Sequence, residues 1–103
     1  MKKFEKLQKG WFAVYVFAKK NSVKNLENVK SAINSVVSHS NLNNAIFDVA
    51  ISSKKDYNNF LLVNMIPTPE AISAILRLNN VRYFLGSNHN PTSLTESEVQ
   101  SML

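Results

Sequence analysis

The chain has 103 residues, of which 45% are hydrophobic, and it contains no cysteine and only two glycines. This length fits one domain and excludes a two-domain enzyme. The lack of cysteine excludes disulfides, thiol catalysis and a cysteine-based zinc site, and it suits a reducing cytosol. Since no apolar run approaches the roughly 18 residues of a membrane span, we expect neither a membrane anchor nor a targeting peptide.

Basic charge is concentrated in the first third of the sequence. Residues 1–30 carry eight lysines against two glutamates, whereas residues 31–103 have a net charge of −1, which together give the net charge of +5. This distribution favours an anionic polymer as partner, nucleic acid before membrane. The alternative is a solvated lysine surface. We divide the chain into a lysine-rich N-terminal extension, residues 1–8, and one domain, residues 9–103.

The first predicted elements are a strand and a helix. Residues 11–17 are apolar and rich in aromatic and β-branched side chains, which predicts a central strand. Ser22 can cap a helix, and the apolar residues behind it recur at spacings of three and four. This periodicity predicts a helix that ends near residues 38–41.

Two further strands follow and form a hairpin. Residues 45–51 predict the second strand, and alternation places Ile46 on one of its faces. The opposite face is expected to carry Phe47, Val49 and Ile51. After a short polar connection, residues 60–66 predict the third strand.

The last elements begin with strong helix-start signals. Thr68 as N-cap and Pro69 at the first helical position predict a second helix. Residues 81–85 predict a fourth strand, closed by Gly86. Thr95 and Glu98 have the spacing of a capping box, which predicts a short terminal helix. The side chains expected to pack inward from this helix are Val99, Met102 and Leu103.

The predicted order is β-α-β-β-α-β-α, a ferredoxin-like arrangement of the α+β class with a four-stranded antiparallel sheet and flanking helices. No phosphate-binding loop, dinucleotide fingerprint or nucleophile elbow is present, and neither His39 nor His89 has a second histidine nearby. We therefore expect no enzyme activity, no metal and no cofactor.

Aromatic residues of the predicted sheet are the better functional clue. If helices leave part of one sheet face open, Trp11 and Tyr15 would join Phe60, Leu62 and an aromatic of the fourth strand in an apolar patch. Such a patch would mark a binding surface. The alternative is that helices cover both faces and these side chains are core.

Five segments in order resemble the N-terminal domain of the NusG family. They are K-G-W-F-A-V at 9–14, N-A-I-F-D-V at 44–49, N-F-L-L-V-N-M at 59–65, N-V-R-Y-F-L-G at 80–86 and T-S-L-T-E-S-E-V-Q-S-M-L at 92–103. The sequence departs from the family pattern at Asn58-Asn59, where the family has Pro-Gly, and it shortens the hairpin insertion of bacterial members. No KOW domain follows Leu103, so the chain is expected to be either part of a longer protein or a stand-alone relative.

The resemblance implies a transcription elongation or antitermination factor, cytoplasmic and nucleoid-associated, monomeric and without a cofactor. In that family the domain docks on the clamp helices of the largest RNA polymerase subunit, and basic residues face upstream DNA. By position, the candidate DNA-facing residues are Lys19 and Lys20, which would contact phosphate. The candidate polymerase-docking residues are Trp11, Tyr15, Phe60, Leu62, Tyr83 and Phe84.

Two other classes share the βαββαβ order. An RNA-binding domain of the RRM type would stack bases on its third strand, yet residues 58–63 lack the glycines and the second aromatic of that pattern. An ACT-like small-ligand module would place its ligand near a glycine-bearing turn, and glycine is scarce here.

Overall fold

The computed structural model of the protein describes residues 8–17, 22–52, 59–88 and 90–103. The helices and strands follow one another in the predicted order β-α-β-β-α-β-α. The predicted N-terminal extension, apart from residue 8, lies outside the described residues. The strands are β1 Gly10–Val16, β2 Ile46–Ile51, β3 Phe60–Met65 and β4 Val81–Phe84, and the helices are α1 Ser22–Ser40, α2 Pro69–Leu76 and α3 Glu96–Met102.

The strands form one four-stranded sheet in the order β2-β3-β1-β4. Every neighbouring pair is antiparallel, and the apolar strand β1 lies between β3 and β4. A strand with neighbours on both sides buries both of its faces most fully, which explains its continuous run of apolar residues. The predicted α+β class and sheet are confirmed.

The main core lies on the sheet face that α1 and α2 cover. Strand alternation sends Phe12, Val14 and Val16 of β1 to this face, and all three are buried. Thr68 accepts a hydrogen bond from the Ala71 N–H at 3.1 Å and so caps α2 as predicted. The helices contribute Leu26, Val29, Ile33, Ala71, Ile72 and Ile75 to this core.

The predicted facing of β2 was wrong because a β-bulge interrupts the strand. The register with β3 shifts between Ile46 and Asp48, so that Ile46 and Val49 are both buried in the main core. Phe47 is the extra residue and lies 44% exposed. The Lys9 ammonium lies 4.7 Å from the centroid of its ring, which partly shields the ring from water.

Helix α3 packs on the opposite face of the sheet. Val99 and Met102 are buried there against Ala13 of β1 and Leu62 of β3. Leu103, predicted to pack inward, is 43% exposed instead. It is the C-cap residue, and one step of about 100° around the helix from Met102 turns it away from the sheet.

A complete capping box begins α3. The Thr95 hydroxyl accepts from the Glu98 N–H at 3.1 Å, and the Glu98 carboxylate accepts from the Thr95 N–H at 2.8 Å. Each bond satisfies an amide that a helix of seven residues cannot pair internally.

Replacing Thr95 by alanine removes the side-chain half of this box and should lower the free energy of unfolding by about 1 kcal/mol. Urea denaturation measures the change. Serine at the same position keeps the hydroxyl and serves as the control. Equal stability of the alanine and serine variants would contradict the structural role of the box.

The turn after β4 closes that edge of the sheet. The Leu85 N–H donates to the Ala13 carbonyl of β1 at 2.9 Å, so the preceding Phe84 N–H points away from the sheet. The Asn88 side-chain oxygen accepts that outward N–H at 2.9 Å. Between them, Gly86 adopts a left-handed backbone with φ of 98°.

Candidate functional site

Three aromatic side chains form a continuous row across three strands, near the C-terminal end of β1 and the start of β3. Tyr15 of β1 is directly opposite Phe60 of β3 on one side and Tyr83 of β4 on the other. Its ring stacks on Tyr83 with centroids 5.0 Å apart and meets Phe60 edge to face at 5.4 Å. Both geometries are favourable for aromatic pairs. We call these three residues the aromatic row.

The aromatic row is only partly covered. Tyr83 is 46% exposed, and Tyr15 and Phe60 are half-buried. The Asn59 side-chain amide lies 3.5 Å from the Tyr15 hydroxyl, at the limit of a hydrogen bond. Since α3 packs farther along the same face, on Ala13 and Leu62, the row remains accessible beside the helix.

A groove of about 450 Å³ runs between the aromatic row and α3. Its apolar side chains are Phe60, Leu85, Leu94 and Met102, and α3 adds Ser97, Glu98 and Ser101. The backbone places Leu94 here, because the Leu94 N–H donates to the Trp11 carbonyl at 2.8 Å. We call this concave surface the docking groove. A groove with apolar walls and few polar groups suits an apolar partner surface.

Trp11 lies on the other side of α3. It is half-buried and lines a second concavity of about 480 Å³, together with Lys9, Glu96 and Leu103. The prediction placed Trp11 on the correct sheet face but beside Tyr15. Helix α3 separates the two side chains.

Two of the predicted docking residues are core residues. Leu62 is 0% exposed beneath α3, and Phe84 is 1% exposed in the main core. A bulge at the end of the β1–β4 pairing leaves both Arg82 and Tyr83 exposed while Val81 and Phe84 face inward. Neither Leu62 nor Phe84 can contact a partner without unfolding, so both are removed from the candidate site.

The sequence reasoning missed Leu85, Leu94 and Glu98. Leu85 follows β4 directly, but its place in the groove depends on the Gly86 turn. Glu98 was assigned only to the capping box, although the residue also lines the groove. Periodicity gives no signal for Leu85 and Leu94, because both lie in the non-repetitive segment between β4 and α3. For Glu98, the place in the groove depends on where α3 crosses the sheet.

The predicted DNA-facing residues Lys19 and Lys20 lie outside the described residues. Phe17 is the last described residue before that segment. The centroid of its exposed ring lies 5.0 Å from the Arg82 guanidinium. This pair puts a fixed positive charge at the β1–β4 end of the sheet. His89 is also outside the described residues.

Neither a metal site nor a membrane span emerges from residues 8–17, 22–52, 59–88 and 90–103. No group of three or more His, Cys, Asp or Glu side chains in these ranges could hold a metal ion. No helix within them is long and apolar enough to cross a bilayer.

Comparison with known proteins places this chain in a family. A sequence profile of NusG, described as transcription termination factor NusG, matches residues 9–103. The chain therefore belongs to the NusG family, a family of transcription factors not known as enzymes, as the resemblance predicted.

A solved structure entitled "Domain interaction in Thermotoga maritima NusG" has the same fold, with a TM-score of 0.74 and 20% sequence identity. The match covers 93% of this chain and 56% of that one, so the chain spans little more than half the length of the Thermotoga protein chain. A comparison with curated proteins gave no significant match.

Proposed function

We propose that the protein is a transcription elongation or antitermination factor that docks on the clamp helices of RNA polymerase through the docking groove. The observation that carries the proposal is an open groove with mainly apolar walls beside the partly exposed aromatic row, in a chain of the NusG family. Monomeric soluble domains rarely keep contiguous apolar surface exposed unless it binds a partner. The stacked rings of Tyr15 and Tyr83 provide large, rigid contact area at low cost in conformational entropy.

The shape of the groove supports a helical partner. An amphipathic helix presents apolar side chains every three to four residues, and such a stripe can enter a groove between a helix and a row of rings. Val99 and Met102 of α3 pack against the sheet and so fix the position of the wall that α3 forms. Because α3 is a regular element packed on the sheet, a partner need not order this wall of the groove on binding.

The proposed mechanism is a shift of polymerase conformation. A factor that binds the closed clamp more tightly than the open one stabilises the closed state by the difference in affinity alone. Pausing that requires clamp opening would then become rarer. Lys19 and Lys20 are proposed to contact the phosphates of upstream DNA, which would make that contribution sensitive to salt. A monomer associated with the nucleoid fits this role.

Tyr83→Ala tests docking at the aromatic row, which borders the docking groove through Phe60. The substitution removes the most exposed ring of the aromatic row and should weaken binding to RNA polymerase about ten- to thirtyfold. Binding is measured by titrating fluorescently labelled protein with core polymerase. Phe47→Ala is the matched control, because Phe47 is an aromatic of similar exposure (44% against 46%) on the far edge of the sheet.

Equal affinities of both variants and the wild type would overturn the proposed docking surface. Binding of single-stranded RNA that Tyr83→Ala weakens, without any binding to polymerase, would favour the RRM-type alternative instead. Folding of each variant is confirmed by its thermal melt.

A further inference from the structure

Glu98 is the one ionisable side chain among the described residues that line the docking groove. It is exposed, and it stands in a chain whose net charge is +5. Its carboxylate is held in place, because one oxygen, Oε1, accepts the Thr95 N–H at 2.8 Å. A carboxylate has two oxygens and about four acceptor positions, so the second oxygen remains able to accept from a partner.

We propose that Glu98 is a specificity-determining residue, which pairs with a basic side chain carried by the apolar helical segment that enters the groove. The inference rests on the proposed function and names the chemistry of the partner: an amphipathic helix with a lysine or arginine beside its apolar stripe. A charge-assisted hydrogen bond to a carboxylate that is already oriented fixes the register of such a helix.

The same carboxylate argues for a protein partner in the groove. A phosphate backbone brought against Glu98 would meet a like charge, which disfavours nucleic acid at this position. Arg82, at the β1–β4 end of the sheet, lies outside the lining of the groove. Among the described residues, the lining of the groove therefore carries a carboxylate and no basic side chain.

Glu98→Gln removes the negative charge of the side chain and keeps its structural role at the start of α3. Glutamine at the third helical position can also accept from the N-cap N–H, so the capping box survives. Glu96→Gln is the matched control, because Glu96 lies in the same first turn of α3 but lines the second concavity, on the other side of the helix. Both variants change the net charge equally, which cancels any general attraction to the polymerase.

We expect Glu98→Gln to weaken polymerase binding about three- to fivefold at low ionic strength, and Glu96→Gln to leave it unchanged. The difference should shrink at high salt, because the lost interaction is electrostatic. Binding of the two glutamine variants with equal affinity, while Tyr83→Ala still weakens binding, would overturn the role of Glu98 and leave the docking groove in place. If Tyr83→Ala also binds like the wild type, the proposed function itself fails.

Discussion

Phe84→Ala is expected to lower the free energy of unfolding by about 3–5 kcal/mol. The ring is 1% exposed, and it packs in the main core beneath α1 and α2. Removing it loses the transfer free energy of the ring and leaves a cavity that strands on a fixed register cannot close. Domains of this size are stable by about 5–15 kcal/mol, so much of the native stability would be lost.

Chemical denaturation of Phe84→Ala and Tyr83→Ala distinguishes the core role of Phe84 from the surface role of Tyr83, its neighbour on β4. Tyr83 is 46% exposed on the opposite face, and its removal should cost less than about 1 kcal/mol of stability. Phe84→Leu, which retains most of the buried volume, should fall between the two. A larger loss for Tyr83→Ala than for Phe84→Ala would show that the inward and outward faces of β4 are assigned incorrectly.

Gly86→Ala is expected to destabilise the protein by about 2–4 kcal/mol, since two separate penalties act at one position. The backbone has φ of 98°, which L side chains rarely adopt. A Cβ atom there would also clash with the Thr92 hydroxyl oxygen and would lie 2.8 Å from the Thr92 backbone nitrogen. The hydroxyl can rotate away, but the backbone nitrogen is held, because its N–H donates to the Leu85 carbonyl at 3.1 Å.

Gly10→Ala is the control, because Gly10 is the other glycine of the chain. A Cβ atom at Gly10 would lie 2.9 Å from the Ser93 hydroxyl oxygen, the end of a side chain that can move, and the φ of Gly10 is not left-handed. Its cost should therefore stay near or below about 1 kcal/mol. Thermal melts of both variants give the comparison, and similar melting temperatures would contradict the strain assigned to the Gly86 turn.

The fold was predictable wherever the deciding interactions are local. Thr68 with Pro69, and Thr95 with Glu98, act within one helical turn, and both helix starts lie where the sequence places them. The bulge at Phe47 was not predictable, because an extra residue in β2 is defined only by its pairing with β3. Strand periodicity then placed Ile46 and Val49 on different faces, although both are buried together.

The candidate site was predictable only in part, for the same reason. The meeting of Tyr15, Phe60 and Tyr83 follows from the order of the strands, since residues at paired positions of adjacent antiparallel strands contact each other across the sheet. The burial of Leu62 could not be predicted, because it depends on where α3 crosses the sheet. Leu94 is brought to the groove by a backbone hydrogen bond to Trp11, a residue that is distant in the sequence.

The bond between Asn88 and the Phe84 N–H has a consequence for self-association. Edge strands with free outward amides are templates on which other chains can grow a shared sheet. At this border the outward amide of Phe84 is already taken by a side chain from the same turn. A strand from another chain would have to displace the Asn88 side-chain oxygen before it could accept a hydrogen bond from the Phe84 N–H. The bond therefore protects β4 at Phe84 against amyloid-like extension of the sheet, while the aromatic row beside it stays exposed.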